Sequence, residues 1–564
     1  MFWDYLIFDF VKENYLVFLV YIILLIFIFP LEDLVIPNIF GQLYDTIKNT
    51  KTYGNPLDII SNIKKFNTPG LLIVIVLIYV VSLFAHNFKF YIESFISPKY
   101  LKYLRTILFE GTVNKNQEEY KDVKSGEYIS IVMELSRNIR DIFQYFISEF
   151  FPYLIISTVL ILYLSFNVPE LGKVLISGFM VSILLSVYAS FYIMDLVLER
   201  ERFFSSELAD SIQDKLNNMM NIVTNNDGDN AVNDNDDLEE KNKIMLEKIM
   251  QTESFSMFFV QLIAIIVYVI SIFIMYGQLI ASKIKVKNMI TYLLILGRYV
   301  SSIQNVNYGI MYMISYKMGI IRAHEEFMTD IFKYSKLENS KETIKDGSIR
   351  FENINFKYDK DDDTHVFKDF NLSITNKEKV AIVGRSGSGK TTLMKILIGL
   401  HEIESGSIYI NEEDTKDMNK KVIRNHINYI NQRTNMFKGD VIHNLRYGND
   451  KSEEEIISLL KKYDLLTIYD KLPDGVKSDV GVSGGQLSLG MQKVTMLVRG
   501  ISRETPVIIL DEPLAGLDTN TRSKIMKLIL TECSNKTIIV ITHDKEILPH
   551  MDRVINLNEL QENS

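Results

Sequence analysis

Apolar residues follow two different rhythms along this chain. Up to about residue 315 they come in long runs. Six of these match the ~20 apolar residues that a membrane helix needs. They run from about Tyr15–Ile36, Gly70–Tyr91, Phe151–Phe166, Leu171–Leu196, Phe255–Ile280 and Met289–Tyr312. Beyond them, apolar and polar residues alternate in the manner of a soluble α/β domain. The first run meets Pro30, Glu32 and Asp33, so it is expected to end or kink there. The third meets the fourth across Asn167-Val168-Pro169-Glu170, a tight turn.

The connections between runs differ in length. Three-to-four and five-to-six are short, whereas two-to-three (Ile92–Glu149) and four-to-five (Glu199–Ser254) each exceed 50 residues. Within the long ones, "YLKYLRTILFEGTV" and "LEEKNKIMLEKIMQ" carry apolar residues at helical spacing, so the spans are expected to continue as helices well beyond a bilayer. Lys99, Lys102, Arg105, Lys115, Lys121, Lys124, Arg137 and Arg140 mark the first long connection as cytoplasmic. The short five-to-six loop then lies outside, against the same rule, because it carries Lys283, Lys285 and Lys287. Between Asn225 and Glu240, "NNDGDNAVNDNDDLEE" lacks the sixth-position glycine of a calcium loop and reads as a solvated loop. On the sixth run, Ser301, Ser302, Gln304, Asn305 and Asn307 either line a cavity or bond between helices.

Composition narrows the classes further. The 564 residues allow two or more domains, and 47% hydrophobic content is high for a purely soluble chain. A net charge of −9 argues against a nucleic-acid partner. One cysteine, Cys533, excludes an intrachain disulfide and reads as a small buried hydrophobe. The first apolar run is too long for the core of a cleavable signal, and none is expected.

The second half carries the chemistry. After a short charged linker, "SIRFENINFKY" and "NLSIT" read as strands, followed by "KVAIVGRSGSGKTTLMKILIGL": strand, glycine loop, helix. Gly384-Arg385-Ser386-Gly387-Ser388-Gly389-Lys390-Thr391 fits the P-loop pattern in the context that pattern requires, with Thr392 next in the helix. Its glycines let backbone N–H groups approach phosphates, and the helix N-terminus adds partial positive charge. Lys390 is placed for the β and γ phosphates of ATP and Thr391 for Mg²⁺. "PVIILDEP" is a buried strand ending in Asp511, suited to Mg²⁺, and Glu512, suited to activating the attacking water. "TIIVITHD" ends at His543, placed to contact the γ phosphate.

In this order, Tyr358, Gly384–Thr391, Gln432, the Ser488 region, Asp511-Glu512, Asp518 and His543 resemble an ATP-binding cassette (ABC) domain. Six spans with two long cytoplasmic connections ahead of it resemble an ABC exporter half-transporter, and the likeness covers nearly the whole chain. It implies a multi-domain membrane protein: an all-α six-helix domain over 1–335, a linker over 336–347, and an α/β P-loop ATPase over 348–564. "QEEYKDVKSGEYISIV" is similar to the family's first coupling helix, and "RAHEEF" to the end of its sixth span. The resemblance implies that Tyr358 stacks on adenine, that Gln432 joins Mg²⁺ to the membrane-domain contact, and that Asp518 communicates across a dimer. Read alone, Tyr358 is an ordinary strand aromatic and Gln432 a loop amide.

"VSGGQLSLGMQKV" offers two candidates for the family's signature loop. If Ser483 were the signature serine, the next helix would run through Gly490, and an interior glycine costs about 1 kcal/mol relative to alanine. With Ser488 as N-cap, the helix starts after Gly490 and stops at Gly500. The signature is therefore Leu487-Ser488-Leu489-Gly490-Met491, and Ser483–Gln486 is a decoy. Leu489 and Met491 replace the family's usual glycine and glutamine, and Val482 stands where exporters carry glutamate. Ser488 and Gly490 remain to reach the γ phosphate bound by a second chain.

The resemblance implies ATP-driven export by a dimer, a homodimer in preference to a heterodimer, embedded in a lipid bilayer. The cassette and both termini would be cytoplasmic, as a need for cytosolic ATP requires, which outweighs the lysines of the five-to-six loop. Two alternatives stay open: a nucleotide-gated regulator or channel, and the weak half of a heterodimer. The substrate is not readable.

Overall fold

The computed structural model describes residues 4–48, 68–118, 125–333, 346–358, 365–432 and 435–562. By contacts the chain divides into two units. One holds Met1–Thr112 with Val123–Ser335, and the other Val113–Asp122 with Lys336–Ser564.

The first unit is helical. Its main elements are α1 (Tyr15–Pro30), α2 (Ile36–Lys48), α3 (Thr68–Glu118), α4 (Ser125–Tyr145), α5 (Phe151–Asn167), α6 (Pro169–Phe203), α7 (Gly228–Ile280) and α8 (Val286–Met311). Each expected apolar run lies in one or two of these. Among the described residues, four helices are long and apolar enough to cross a membrane: Gly70–Glu118, Tyr128–Asn167, Pro169–Asn217 and Gly228–Ile280. The first and sixth runs fall short for separate reasons. The described part of the first, Tyr15–Ile26, is a shorter apolar helix, and a π-turn follows at Leu31–Val35 with Glu32 and Asp33 inside it. The sixth, α8, is diluted by Arg298, Gln304, Asn305 and Asn307.

The long connections are helical extensions of the spans. α3 has 51 residues and α7 has 53. At 1.5 Å per residue each reaches roughly 75–80 Å, more than twice a ~30 Å hydrocarbon core. The segment expected as a solvated loop, Asn225–Glu240, is a loop only as far as Asp227; helix α7 starts at Gly228. Of its acidic residues Asp229 lies in the first turn, where the helix dipole favours negative charge. Asp227 accepts from the Asn230 amide at 2.6 Å.

The polar residues of α8 divide by face. Ser302 shares a hydrogen bond with Ser157 of α5 at 2.9 Å. Asn307, fully buried, accepts from Ser186 at 2.7 Å and donates to Ser182 at 3.2 Å, both on α6. These two bond between helices. Ser301 is exposed, and Gln304 and Asn305 are half-buried. Close approach of α6 and α7 depends on Gly178, where a Cβ would sit 2.3 Å from Val267 Cγ2.

The second unit is an α/β domain with two sheets. An antiparallel sheet has order β2-β1-β4-β5, with β1 Ile349–Phe356, β2 Phe367–Ile374, β4 Ser405–Ile410 and β5 Glu413–Asp414. A parallel sheet has order β6-β7-β8-β3-β9. Its strands are β3 Lys379–Val383, β6 Ile427–Ile430, β7 Val507–Asp511, β8 Thr537–Ile541 and β9 Arg553–Asn556. Every residue of β7 and β8 is buried, as expected for central strands of a parallel sheet. Flanking helices include α9 (Lys390–Leu397), α10 (Glu453–Lys462), α11 (Leu489–Ile501) and α12 (Thr519–Glu532). Two apolar clusters fill this unit, one under each side of the parallel sheet, and Cys533 is buried in one of them as a plain hydrophobe.

Replacing Gly178 with leucine should overpack the α6–α7 contact. Val267 is β-branched and buried, so it cannot swing away, and such overpacking costs about 1–3 kcal/mol. Thermal unfolding in detergent should fall accordingly; an unchanged midpoint would show that the two helices do not meet at Gly178.

Candidate nucleotide site

The P-loop joins β3 to α9. β3 is buried along Val380–Ile382, and the chain leaves it through Gly384 into exposed Arg385, Ser386 and Gly387. Gly387 and Gly389 have φ +82° and +85°, a region that glycine enters without steric cost. At Gly389 a Cβ would also lie 2.8 Å from the Phe367 ring. The glycine therefore answers both the turn and the close passage over β2. Helix α9 begins at Lys390, which exposes its N-terminal N–H groups beside the loop.

Lys390 folds back over that loop. Its Nζ donates to the carbonyls of Gly384 at 2.9 Å and Arg385 at 2.8 Å. Burial holds its ammonium below the usual lysine range, and the negative charges of Glu512 and Asp511 oppose that shift. The next two residues point to different partners. Thr391 Oγ1 donates to Asp511 Oδ2 at 3.3 Å. Thr392 Oγ1 and the Tyr358 hydroxyl are hydrogen-bonded at 2.6 Å.

Asp511 ends β7 and is 5% exposed. The same Oδ2 accepts a second hydroxyl, from Tyr429 of β6, at 3.0 Å. Burial pushes the Tyr429 phenol up, and the Asp511 charge adds to that shift. Glu512 follows in the left-handed region, φ +47°. Such a conformation is strained for a side chain of this size and persists only where its surroundings enforce it. Here the Glu512 N–H donates to the Ile541 carbonyl at 2.8 Å, which pins the turn onto β8. Thr542 Oγ1 donates to Glu512 Oε2 at 3.5 Å.

Of the remaining expected residues, Tyr358 reaches this centre through its bond to Thr392. Tyr358 is 64% exposed, and its ring meets Phe356 and His401 edge-on. Gln432, two residues past β6, and His543, two past β8, are exposed. No hydrogen bond joins either to Lys390, Thr391, Asp511 or Glu512 among the described residues. Asp518 caps α12: its carboxylate accepts the N–H groups of Asn520 and Thr521 and the Thr521 hydroxyl. These bonds, the Thr521 N–H foremost, hold its carboxyl below the usual range.

Ser488 is the N-cap of α11, accepting the Met491 N–H at 3.3 Å. The helix starts at Leu489, two residues ahead of the expected start after Gly490. It also runs past Gly500 to Ile501, with Ser502 as C-cap, so Gly500 is not the helix stop. Gly500 serves packing instead: a Cβ there would lie 2.2 Å from Ile430 Cδ1, and its carbonyl accepts from Asn428 at 2.6 Å. Around Gly490 nothing lies within 4 Å of a would-be Cβ, and Leu489 is 81% exposed, so the first turn of α11 is open. Ser483 sits instead in a tight turn at φ +53°, and Gln492 ties that turn to α11 by donating to the carbonyls of Gly484 and Leu487.

Three contributors had no signal in the motifs: Tyr429, Thr542 and Lys493. Tyr429 precedes Gln432 by three residues in a strand, where an aromatic is unremarkable. Lys493 is half-buried on α11, its ammonium lowered by burial while Asp511 and Glu512 pull it back up.

The oxygens gathered here are hard donors. Among the described residues no cluster of three or more His, Cys, Asp or Glu could hold a metal on its own. A threonine hydroxyl beside one or two carboxylates suits Mg²⁺, which keeps several waters and takes the rest of its ligands from substrate phosphates.

Comparison with known proteins bears on the family and the fold. The family description "ABC transporter transmembrane region" matches residues 19–303 and "ABC transporter" matches residues 367–515. An export ATP-binding/permease protein of Rickettsia bellii is 26% identical over 559 residues, covering 96% of this chain and 92% of that protein. An ATP-dependent lipid A-core flippase of Methylobacillus flagellatus is 30% identical over 247 residues, covering 43% of this chain and 42% of that protein. The solved structure of a bacterial Atm1-family ABC exporter with ATP bound has the same fold, with a TM-score of 0.81 at 17% identity, covering 97% of this chain and 94% of that one. The membrane-region match alone spans just over half of the residues, and the chain belongs to the ABC transporter family, multi-pass membrane proteins that couple ATP hydrolysis to transport.

Proposed function

We propose that this chain is one half of an exporter, two copies of which sandwich two ATP molecules between their cassettes. The carrying observation is the meeting of Thr391, Asp511 and Glu512 at the phosphate end of α9, under Lys390. The boundaries that fit this reading are a membrane domain over 1–335, a linker over 336–347 and a cassette over 348–564, with the cassette and both termini cytoplasmic. The name of the Rickettsia bellii relative supports the outward direction.

In this reading Lys390 leaves the carbonyls of its own loop for the β and γ phosphates, joined by N–H groups from Gly384 to Thr392. Thr391 and Asp511 hold Mg²⁺, with Gln432 closing in from the edge. Bound Mg²⁺ supplies positive charge to the phosphate oxygens. Glu512 orients and deprotonates the attacking water, and His543 contacts the γ phosphate from the end of β8. Tyr358, already bonded to Thr392, offers its exposed ring to adenine. Ser488 and Gly490 of the second copy present the open N-terminus of α11 to the same γ phosphate. Asp518, fixed as a cap, orders the turn that faces the other cassette. The exposed Leu489, bulkier than the family's usual glycine, favours slow turnover.

Lys390→Ala should lose nucleotide affinity. Glu512→Gln should bind ATP and accumulate a closed dimer without turning over. Rate and affinity measured on purified protein in nanodiscs check both; a Glu512→Gln variant hydrolysing at the wild-type rate refutes the general-base role.

Ser488→Arg should block the helix N-terminus. The charge-assisted hydrogen bonds lost are worth about 1.5–3 kcal/mol each. Hydrolysis should therefore fall at least roughly tenfold, since about 1.4 kcal/mol is a factor of ten. ATP binding to the P-loop should survive. Ser483→Arg, in the preceding turn, should be mild. A dead Ser483→Arg beside an active Ser488→Arg would reverse the assignment.

A further inference from the structure

We infer that Tyr429 is a positioning residue for the metal site, holding the Asp511 carboxylate in the rotation that presents its other oxygen to Mg²⁺. The inference rests on the nucleotide reading above and adds a residue to it.

The strand register brings the two side chains together. β6 and β7 are parallel, with Tyr429 opposite Ile509. Alternate residues of a strand share a face, so Asp511, two residues after Ile509, lies on the face that Tyr429 occupies. It is one strand across and two residues further along, a diagonal within reach of an aromatic side chain. The phenol ends 3.0 Å from Oδ2, and Thr391 Oγ1 arrives at the same oxygen from the P-loop side at 3.3 Å. Oδ2 is thereby occupied from two directions.

Oδ1 accepts from neither hydroxyl and is the oxygen left for the metal or its water. Thr391 would itself be drawn into coordination, with its lone pair turned to Mg²⁺. Tyr429 has no such second duty. It is anchored in a strand whose neighbours Asn428 and Ile430 are buried, so its hydroxyl holds Asp511 while Thr391 moves. Groups that orient a metal ligand in this way commonly shift metal affinity by about 10–100-fold when removed.

Tyr429→Phe deletes only the hydroxyl and keeps the ring. Tyr469→Phe is the matched control: Tyr469 is buried and its hydroxyl bonds Thr495 at 2.8 Å, away from the P-loop. The full chain in nanodiscs is titrated with Mn²⁺ in the presence of a non-hydrolysable ATP analogue, and bound metal is read by electron paramagnetic resonance. Analogue affinity in EDTA and thermal unfolding are measured alongside. The half-saturating Mn²⁺ concentration should rise roughly tenfold for Tyr429→Phe, with metal-free analogue affinity unchanged and no shift for Tyr469→Phe. Mn²⁺ binding within twofold of wild type would overturn the inference, as would an equal shift in Tyr469→Phe. Wild-type protein that binds no Mn²⁺ with the analogue would instead overturn the nucleotide reading itself.

Discussion

One buried carboxylate ties the catalytic half of this protein together. Asp511 stands at the end of a strand with no exposed residue, where an unpaired charge is costly. It is tolerated because hydroxyls from two other elements, Thr391 of α9 and Tyr429 of β6, converge on it. Lys390 and Lys493 add positive potential from the loop and from α11. A single anion thus aligns the P-loop helix, two neighbouring strands and the helix that leads from the signature.

The membrane half meets the corresponding problem with backbone as well as side chains. In hydrocarbon every polar group needs an internal partner. The chain nevertheless interrupts its helical ladder with a π-turn at Phe146–Phe150, just ahead of α5. The carbonyl of Ser148 is taken up by Lys89 Nζ at 2.6 Å. Lys89 also pairs with Glu93, which accepts from Tyr21. At a second of the π-turns, Leu31–Val35, the buried Asp33 pairs with Arg298 of α8 and Glu32 accepts from Ser82. These two irregularities are thus matched by charged or hydroxyl side chains from neighbouring spans.

Small residues do comparable work in the two halves. Gly178 lets α6 meet α7, and Gly500 lets α11 rest on Ile430. Neither has a left-handed φ; each is a place where a side chain would collide. Gly389 combines both demands, which is why the P-loop pattern tolerates so little change there.

The sequence by itself determined whatever depends on local order. Run length and charge identified the spans, and the P-loop and the acidic pair Asp511-Glu512 at one strand end were legible because their chemistry requires particular residues at fixed spacing. Ser488 as an N-cap was equally local, since capping involves only the next three residues. Tertiary structure decided the rest. Gly500 looks like a helix stop until Ile430 is seen beneath it. The acidic segment after Asp227 looks like a loop until it is joined to the apolar run that continues its helix. The asparagines and serines of α8 could not be divided between helix contacts and exposed faces without knowing where α5 and α6 lie. Tyr429 could not be connected to Asp511, because the register between β6 and β7 is set by strands 82 residues apart in the chain. Each of these depends on which distant residue sits opposite, and spacing along one segment carries no information about that.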